Sequence, residues 1–395
     1  MKKLMILGAS YSQLPLYEAA RQPGAATVAA STPGDWPGFD VADESVYADI
    51  TDPEAILAAA QEKGIDGIAT CCLDAGVRAL GYTCEKMGLI GPSARAADIS
   101  NDKFKMKEAF MAGGVQCARH ICIHSLEELE EALEKLEFPV VLKAVDLMGS
   151  RGIFRCNTRE ETFFYYNKTM EATRKDYCLV EEFIEGQVLG CEALIRDGKL
   201  LYCLANKIEA FQSYVPTPIG HSVPYRKQEE LGAEVRHQVE LAIKAVGLDN
   251  CPVNCDLIEK DGKIYVIEIT GRAGGTCLPE MVSIYYGINY YEAIVRLALG
   301  MDVEEMFRGK TAGVANLSRT LLSEKDGVVK AIHNENEPAE DIVNLSFNIT
   351  PGEEVHHYTN GRDRLGQVIL RGESLESCEK RLQEILSKIN IEFTV

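Results

Sequence analysis

The sequence predicts an α/β chain that closes with a smaller α+β portion, and three observations carry that reading. Short apolar runs alternate with helical segments through the first 95 residues, the pattern of a parallel sheet with crossover helices. The stretch Cys251 to Gly275, CPVNCDLIEKDGKIYVIEITGRAGG, reads as two strands joined at an Asp-Gly tip. Beyond about residue 310, short strands broken by Gly, Pro and Asn replace the alternation. A length of 395 residues implies two or three domains, expected at 1–95, 96–305 and 306–395.

Composition narrows the function. With 46% apolar and 26% charged residues the chain can build a large globular core. A net charge of −19 argues against general affinity for nucleic acid or acidic membrane, so an anionic ligand would need a locally basic pocket. The 13 cysteines form no CxxC pair and sit largely in apolar runs, as expected of core residues in a reducing cytoplasm. The apolar run after Lys2-Lys3 stops at Gly8, too short for a secretory leader, and no segment approaches a membrane span.

In order along the chain, KKLMILG is a strand that runs through Gly8 into a helix over Gln13–Arg21. The turn lacks GxGxxG, so no dinucleotide site is expected there. Strands follow at Thr27–Ala30 and Gly67–Cys72, and a loop at Pro33–Asp40. Asp52 caps a helix through Ala60, with Pro53 at its first position. A helix over Ala75–Met87 ends the first domain near Gly91-Pro92. A helix over Asp102–Ala112 carries Lys103, Lys105 and Lys107, which on a helix are ordinarily solvated. Ser125 and Glu128 read as a capping box for Leu126–Leu136. A strand from Pro139 to Ala144, a helix over Arg159–Thr173, a strand over Tyr177–Gly186, a hairpin over 191–206 and an amphipathic helix over Glu229–Val246 follow. After the hairpin come a helix over Met281–Leu299, strands at Gly313–Ala315, Gly327–Ile332, Ile342–Phe347 and Gly366–Arg371, an Asn360-Gly361 turn, and a helix from Ser374 through Ile389. This last block reads as an appendage packed on the body.

Several of these segments hold residues suited to anions and cations. Asp256 and Glu268 sit on the two hairpin strands, and two carboxylates side by side are costly unless a cation shares them; hard oxygen donors favour Mg²⁺. Arg272 and Gly274-Gly275 follow at once, a guanidinium beside a backbone that an anion can approach. Lys143 interrupts an apolar strand, and the loop after it offers Gly149, Ser150 and Gly152. A Walker-type GxxxxGK[ST] is absent. Each residue also has a plain structural reading. Lys143 can snorkel to a sheet edge, Lys103 can face solvent, Arg272 can brace the acids, and His221 in PIGHSVPYR can be a loop histidine without a chemical role. Tyr285, Tyr286, Tyr290 and Tyr291 have the spacing of packing residues.

Taken in order, Lys103, Lys143, the 146–152 loop, Glu181-Glu182-Phe183-Ile184, Asp256, Glu268 and Arg272 resemble the ATP-grasp superfamily over about residues 1–300. The segment PGEEVHHYTNGRDRLGQVILRGES resembles the terminal domain of L-amino-acid ligases and, more distantly, of biotin carboxylases. The resemblance implies an ATP-grasp fold with a Rossmann-like N-terminal domain, a lid at about 115–185 and a small C-terminal α+β domain. It assigns Lys103, Lys143, Gly149, Ser150 and Gly152 to ATP phosphates, and Glu181 to Ile184 to the adenine. Asp256 and Glu268 would hold Mg²⁺, with Mn²⁺ as a substitute, and Arg272 would meet the transferred phosphoryl group. His221, Gly274 and Gly275 would line the acceptor site. Two positions depart from the family pattern. Thr270 stands where a metal-binding Asn is common, and Val188 where a ribose-binding acid is common, which leaves Glu192 as the next acid along. The implied activity is an ATP-dependent carboxylate–amine ligase working through an acyl phosphate on small-molecule substrates, as a cytoplasmic homodimer. A bicarbonate-using carboxylase or carbamoyl-phosphate-type enzyme, or a nucleotide-binding module without catalysis, are the alternatives.

Overall fold

The structure is a computed structural model that describes all residues except 148, 150, 212–216, 311–312, 360–362 and 395. Ser150 and the Asn360-Gly361 turn expected from sequence lie outside the described residues.

The chain opens with four parallel strands, β1 (Lys3–Leu7), β2 (Ala26–Ser31), β3 (Glu44–Tyr47) and β4 (Gly67–Ala69), in the order β3-β2-β1-β4. Strand alternation sends Leu4 and Ile6 into one core and Met5 and Leu7 into another, so the sheet is apolar on both faces, as a parallel sheet must be. A second sheet, ordered β5-β8-β6-β7, is antiparallel: β5 (His120–Ile123), β6 (Val140–Ala144), β7 (Ile153–Cys156) and β8 (Cys178–Glu182). Helices Leu126–Leu133 and Arg159–Ala172 accompany it, and Leu129, Leu133 and Tyr166 enter its core.

The body is one eight-stranded sheet. It takes β9 (Gln187–Arg196), β10 (Lys199–Phe211), β11 (Thr217–Val223), β12 (Cys251–Lys260) and β13 (Lys263–Thr270), and then continues into the C-terminal block. That block supplies β14 (Ala315–Leu322), β15 (Gly327–Asn334), β16 (Ile342–Phe347), β17 (Glu354–Val355), β18 (Arg364–Gly372) and β19 (Ile389–Thr394). The full order is β13-β12-β9-β10-β11-β14-β18-β16, while β17-β15-β19 form a separate small sheet. The C-terminal block is therefore an extension of the central sheet rather than an appendage laid upon it. The seam is tight: a Cβ on Gly220 of β11 would lie 2.4 Å from the carbonyl oxygen of Ser318 on β14.

Three sequence expectations change. The helix expected over Met281–Leu299 is two, Leu278–Tyr286 and Tyr290–Ala298. Gly287 ends the first in the left-handed conformation (φ 63°), and Asn289 caps the second through the Glu292 N–H. The closing helix stops at Leu386, and β19 follows because its apolar side chains pair with β15. Ser125 caps its helix, but Glu128 takes the His124 N–H in place of the reciprocal capping-box bond. Tyr290 and Tyr291 are packing residues, 0% and 7% exposed. All thirteen cysteines are free thiols. No helix of the described residues is long and apolar enough to cross a membrane.

If the seam holds the C-terminal block in the central sheet, Gly220→Val will force β11 and β14 apart. The expected loss is about 1–3 kcal/mol in urea unfolding, with earlier proteolytic release of the segment after residue 313. Unchanged stability would refute the close contact.

Candidate functional site

The site is built on one face of β12 and β13. Asp256 pairs directly with Glu268, and Asn254 with Thr270, so all four share that face. A register shift follows Asp256, a bulge that turns the strand at the acid pair. Burial, reinforced by the charge of Glu268, pushes the Asp256 carboxyl up to about 7. Lys103 answers Glu268 at 3.4 Å and donates to the Leu147 carbonyl at 2.7 Å. Its helix, Lys103–Ala112, is set by Asp102, which caps the Phe104 and Lys105 N–H groups and accepts the Tyr177 hydroxyl at 2.5 Å.

Asn254, Asp256, Glu268, Thr270, Lys103 and Leu147 line a cleft of about 330 Å³ together with Asp74, Gly149, Arg272, Gly275, His221 and Arg364. The cleft thus draws on the N-terminal sheet, the central sheet and the C-terminal block. Arg272 is fixed by Asp74 at 2.6 Å and donates to the Asn254 side-chain oxygen at 3.1 Å. Burial works against both charges, yet their mutual attraction prevails: Asp74 is held below the usual carboxylate range and Arg272 above its ordinary value. Gly274 leaves no room for a side chain, since a Cβ there would lie 2.5 Å from both Glu192 Oε1 and Leu278 Cδ1.

Glu192 is not a cleft residue. It is 1% exposed, accepts the Gly274 N–H and the Asn254 side-chain amide, and is pushed up to about 8 by burial. It holds the glycine loop from beneath, where a ribose could not reach it. His221 is 6% exposed on β11, bonded through Nδ1 to Asn206 Oδ1 at 2.9 Å, and driven down to about 4 by burial. It is a strand residue rather than a loop histidine, and it also borders a cavity of about 460 Å³ beneath helix Leu375–Leu386.

Lys143, on β6, and Glu181-Glu182, at the end of β8, lie beyond the cleft lining, with Phe183 and Ile184 following the strand. Glu181 is 2% exposed and paired with two lysines, Lys143 and, at 3.1 Å, Lys107. Burial and the charge of Lys107 hold Lys143 well below its ordinary value. Lys107, expected to be solvated, is 2% exposed. The sequence did hold its signal, because Lys103 and Lys107 are four apart and share a helix face. Glu182 spends its N–H on the Arg119 carbonyl and Phe183 its N–H on Pro139, so Glu182 can read a base only through its carbonyl. Arg155 stacks over Phe183 at 4.1 Å. Gly149 and Gly152 both take left-handed φ, 65° and 66°. Asp74 had no sequence signal, being 198 positions from its partner.

Two outcomes follow. Lys107→Met should cost about 3 kcal/mol in urea unfolding, because it strips a partner from a buried carboxylate, whereas Lys105→Met on the same helix should stay within about 0.5 kcal/mol. Equal effects would dissolve the buried charge cluster. For His221 the folded pKa lies below the unfolded one, so the unfolded chain binds the extra proton. Its stabilising contribution is complete above pH 6.5 and is lost as pH falls toward 4, by about 3 kcal/mol in all. His221→Gln should flatten that part of the stability–pH curve.

The family comparisons agree with this architecture. A model described as an ATP-grasp domain matches residues 100–276, and one described as L-amino acid ligase C-terminal domain 2 matches residues 319–394. A solved phosphoribosylglycinamide synthetase from Anaerococcus prevotii is 39% identical over 100% of both chains, with a TM-score of 0.87. An L-amino acid ligase from Bacillus licheniformis is 20% identical over 100% of this chain and 99% of that one, with a TM-score of 0.86, a likeness of fold. Among curated relatives, the alanine–anticapsin ligase of Bacillus subtilis is 24% identical over 64% of this chain and 58% of its own length. The carbamoyl phosphate synthase large chain of Clostridium beijerinckii is 22% identical over 69% of this chain and 25% of its own. The chain thus spans between a quarter and three-fifths of these two curated relatives. With two domain models in sequence and a 39% identical structure matched end to end, the chain belongs to the ATP-grasp superfamily.

Proposed function

We propose that this protein is an ATP-dependent ligase that joins a small-molecule carboxylate to an amine, passing through an acyl phosphate and releasing ADP and phosphate. One observation carries the reading: Asp256 and Glu268 stand opposite each other in a cleft that also holds Lys103 and Arg272. The names of the relatives support it: an alanine–anticapsin ligase matches part of the sequence, and an L-amino acid ligase and a phosphoribosylglycinamide synthetase share the fold.

The acid pair fits a divalent cation. Asp256 is a carboxyl whose ionisation is opposed by burial and by its neighbour, and a cation would relieve both. Mg²⁺ keeps waters and phosphate oxygens in its shell, so one or two protein carboxylates suffice to hold it. Asp256 and Glu268 would hold it, and bound there it would neutralise phosphate oxygens. Mn²⁺ would serve in its place.

The remaining work falls to fixed charges. Lys103 is tied to the loop that would cover the nucleotide, and Gly149 lets that loop's backbone approach an anion closely. Lys143 would have to leave Glu181 to meet a phosphate, and Lys107 would then keep that carboxylate neutralised. The hinge Glu182 to Ile184 would hold the base, with Phe183 and Arg155 at its wall. Arg272, already oriented by Asp74, would face the phosphoryl group as it moves from ATP to the substrate carboxylate. The amine nitrogen then bonds to the acyl carbon, the carbon–oxygen bond to phosphate breaks, and the amine gives up a proton. His221, neutral at pH 7 and bordering the cleft, would stand beside the acceptor with Gly274 and Gly275. The catalytic unit would be a homodimer.

Mixing the protein with Mg-ATP and panels of carboxylates and amines should release phosphate only when both partners are present. Glu268→Gln should lower that rate by about 100-fold or more, on the order of 3 kcal/mol of barrier. Phosphate release driven by bicarbonate alone would select the carboxylase reading instead, to which the carbamoyl phosphate synthase relatives point. Turnover untouched by Glu268→Gln would remove the acid pair from the chemistry.

A further inference from the structure

We propose that the cavity on the far face of the central sheet from the cleft is a second binding site, and that its ligand is a small phosphate monoester. This cavity, of about 460 Å³, lies beneath helix Leu375–Leu386 at the seam of β10, β11 and β14. It stands apart from the reaction, whatever chemistry the cleft performs.

Strand alternation separates the two sites. Ile208, His221 and Ser318 stand in one row across β10, β11 and β14, and Ile208 and His221 line the cleft. Ser318 turns its hydroxyl the same way, donating to the Thr276 carbonyl at 3.2 Å. The adjacent row, Lys207, Ser222 and Leu317, therefore faces the other side of the sheet. All three line the cavity. The helix roofs it with Glu376, Glu379, Lys380 and Gln383, whose spacing puts them on one helical face.

The charges of this cavity are unevenly committed. Arg319 reaches over Gly220, which has no side chain, to pair with Glu209 on β10. That bond uses Nη2, and the buried Nε–H of Arg319 has no acceptor among the described residues. Glu379 and Glu376 are both turned to Arg226, at 2.7 and 3.4 Å. Each acid of the described lining thus has a guanidinium, whereas Lys207 and Lys380 make no ion pair among the described residues. Two ammonium groups, one orphaned N–H and the hydroxyl of Ser222, 8% exposed, make a wall rich in donors. A buried donor left unmade costs about 1–3 kcal/mol, so such a wall favours a ligand built of acceptors.

A phosphate monoester answers that wall. Its terminal oxygens are all acceptors, and near pH 7 it carries close to two negative charges, matching the two uncommitted lysines. Lysines meet an anion as point charges, which suits a tetrahedral phosphate better than the planar fork that a carboxylate asks for. A lone carboxylate would neutralise one lysine and leave the other. The cavity is also roomier than a phosphate needs, and Leu317 and Leu382, 4% and 3% exposed, give it an apolar side. Carbon atoms esterified to the phosphate would cover those leucines. In a chain of net charge −19, a local surplus of free cations is the condition for holding any anion.

The test is calorimetric titration of the full chain with propyl phosphate, inorganic phosphate and succinate, each with and without excess Mg-ADP. Propyl phosphate should bind one site per chain whether or not Mg-ADP is present. It should bind about 10-fold or more tighter than inorganic phosphate, through its buried carbons, and tighter than succinate. The double variant Lys207→Met with Lys380→Met should weaken the ester by about 10-fold or more. Neither lysine holds a partner in the fold, so urea unfolding of that variant should match wild type. Gln383→Glu, at an exposed helix position, adds a negative charge to the roof and should weaken the ester independently. No binding of propyl phosphate, binding abolished by Mg-ADP, or an affinity unmoved by either variant overturns the site. Inorganic phosphate or succinate binding as tightly as the ester overturns the ligand class.

Discussion

The pairing of Arg272 with Asp74 is the contact on which the site depends. It joins the loop after β13 to the turn after β4, two segments 198 positions apart, and it does so through a charge pair largely shielded from water. Neighbouring bonds reinforce it. Cys71 bridges to Ala273, and Cys72 donates to the Ala273 carbonyl. The glycine loop is thereby clamped between the N-terminal sheet above and Glu192 below. An arginine with its guanidinium already oriented loses little freedom when an anion arrives, which is the physical advantage of fixing it in advance.

Charge is distributed unevenly on purpose of geometry rather than composition. The chain is strongly acidic overall, yet the buried cluster between the helix Lys103–Ala112 and the sheet of β6 and β8 holds two lysines to one glutamate. Buried, that surplus positive charge has few ways to be relieved: a lysine gives up its proton, or an anion arrives. Beside it, Asp256 and Glu268 face Lys103 and Arg272, and the charges of Lys143 and Lys107 reach Glu268 as well.

The continuous sheet gives this arrangement its reach. Because β14 and β18 extend the same hydrogen-bonded ladder as β11, a C-terminal arginine and the acid pair belong to one rigid framework. Sites built on strands hold their groups more closely than sites on loops alone. The N-terminal sheet contributes Asp74 and packs its other face on the helix Tyr290–Ala298, so all three parts meet at the cleft.

Local rules made much of this legible in advance. Period-two alternation and an Asp-Gly tip placed Asp256 and Glu268 on paired strands, and an apolar strand interrupted by Lys143 marked that lysine as partnered. Caps at Asp52, Ser125 and Ser374 located helix starts, since a short polar side chain before an apolar run satisfies the free N–H groups whatever lies elsewhere. What folding alone decided were the long-range choices. The partner of Arg272, the burial of Lys107, the sealing of Glu192 beneath Gly274, the bulge at Arg364 and the merging of the C-terminal strands into the central sheet all join residues far apart in the chain. Sequence spacing encodes the direction of a side chain within its own helix or strand. Which neighbour meets it is set by the packing of sheets against one another, and that information exists only in three dimensions.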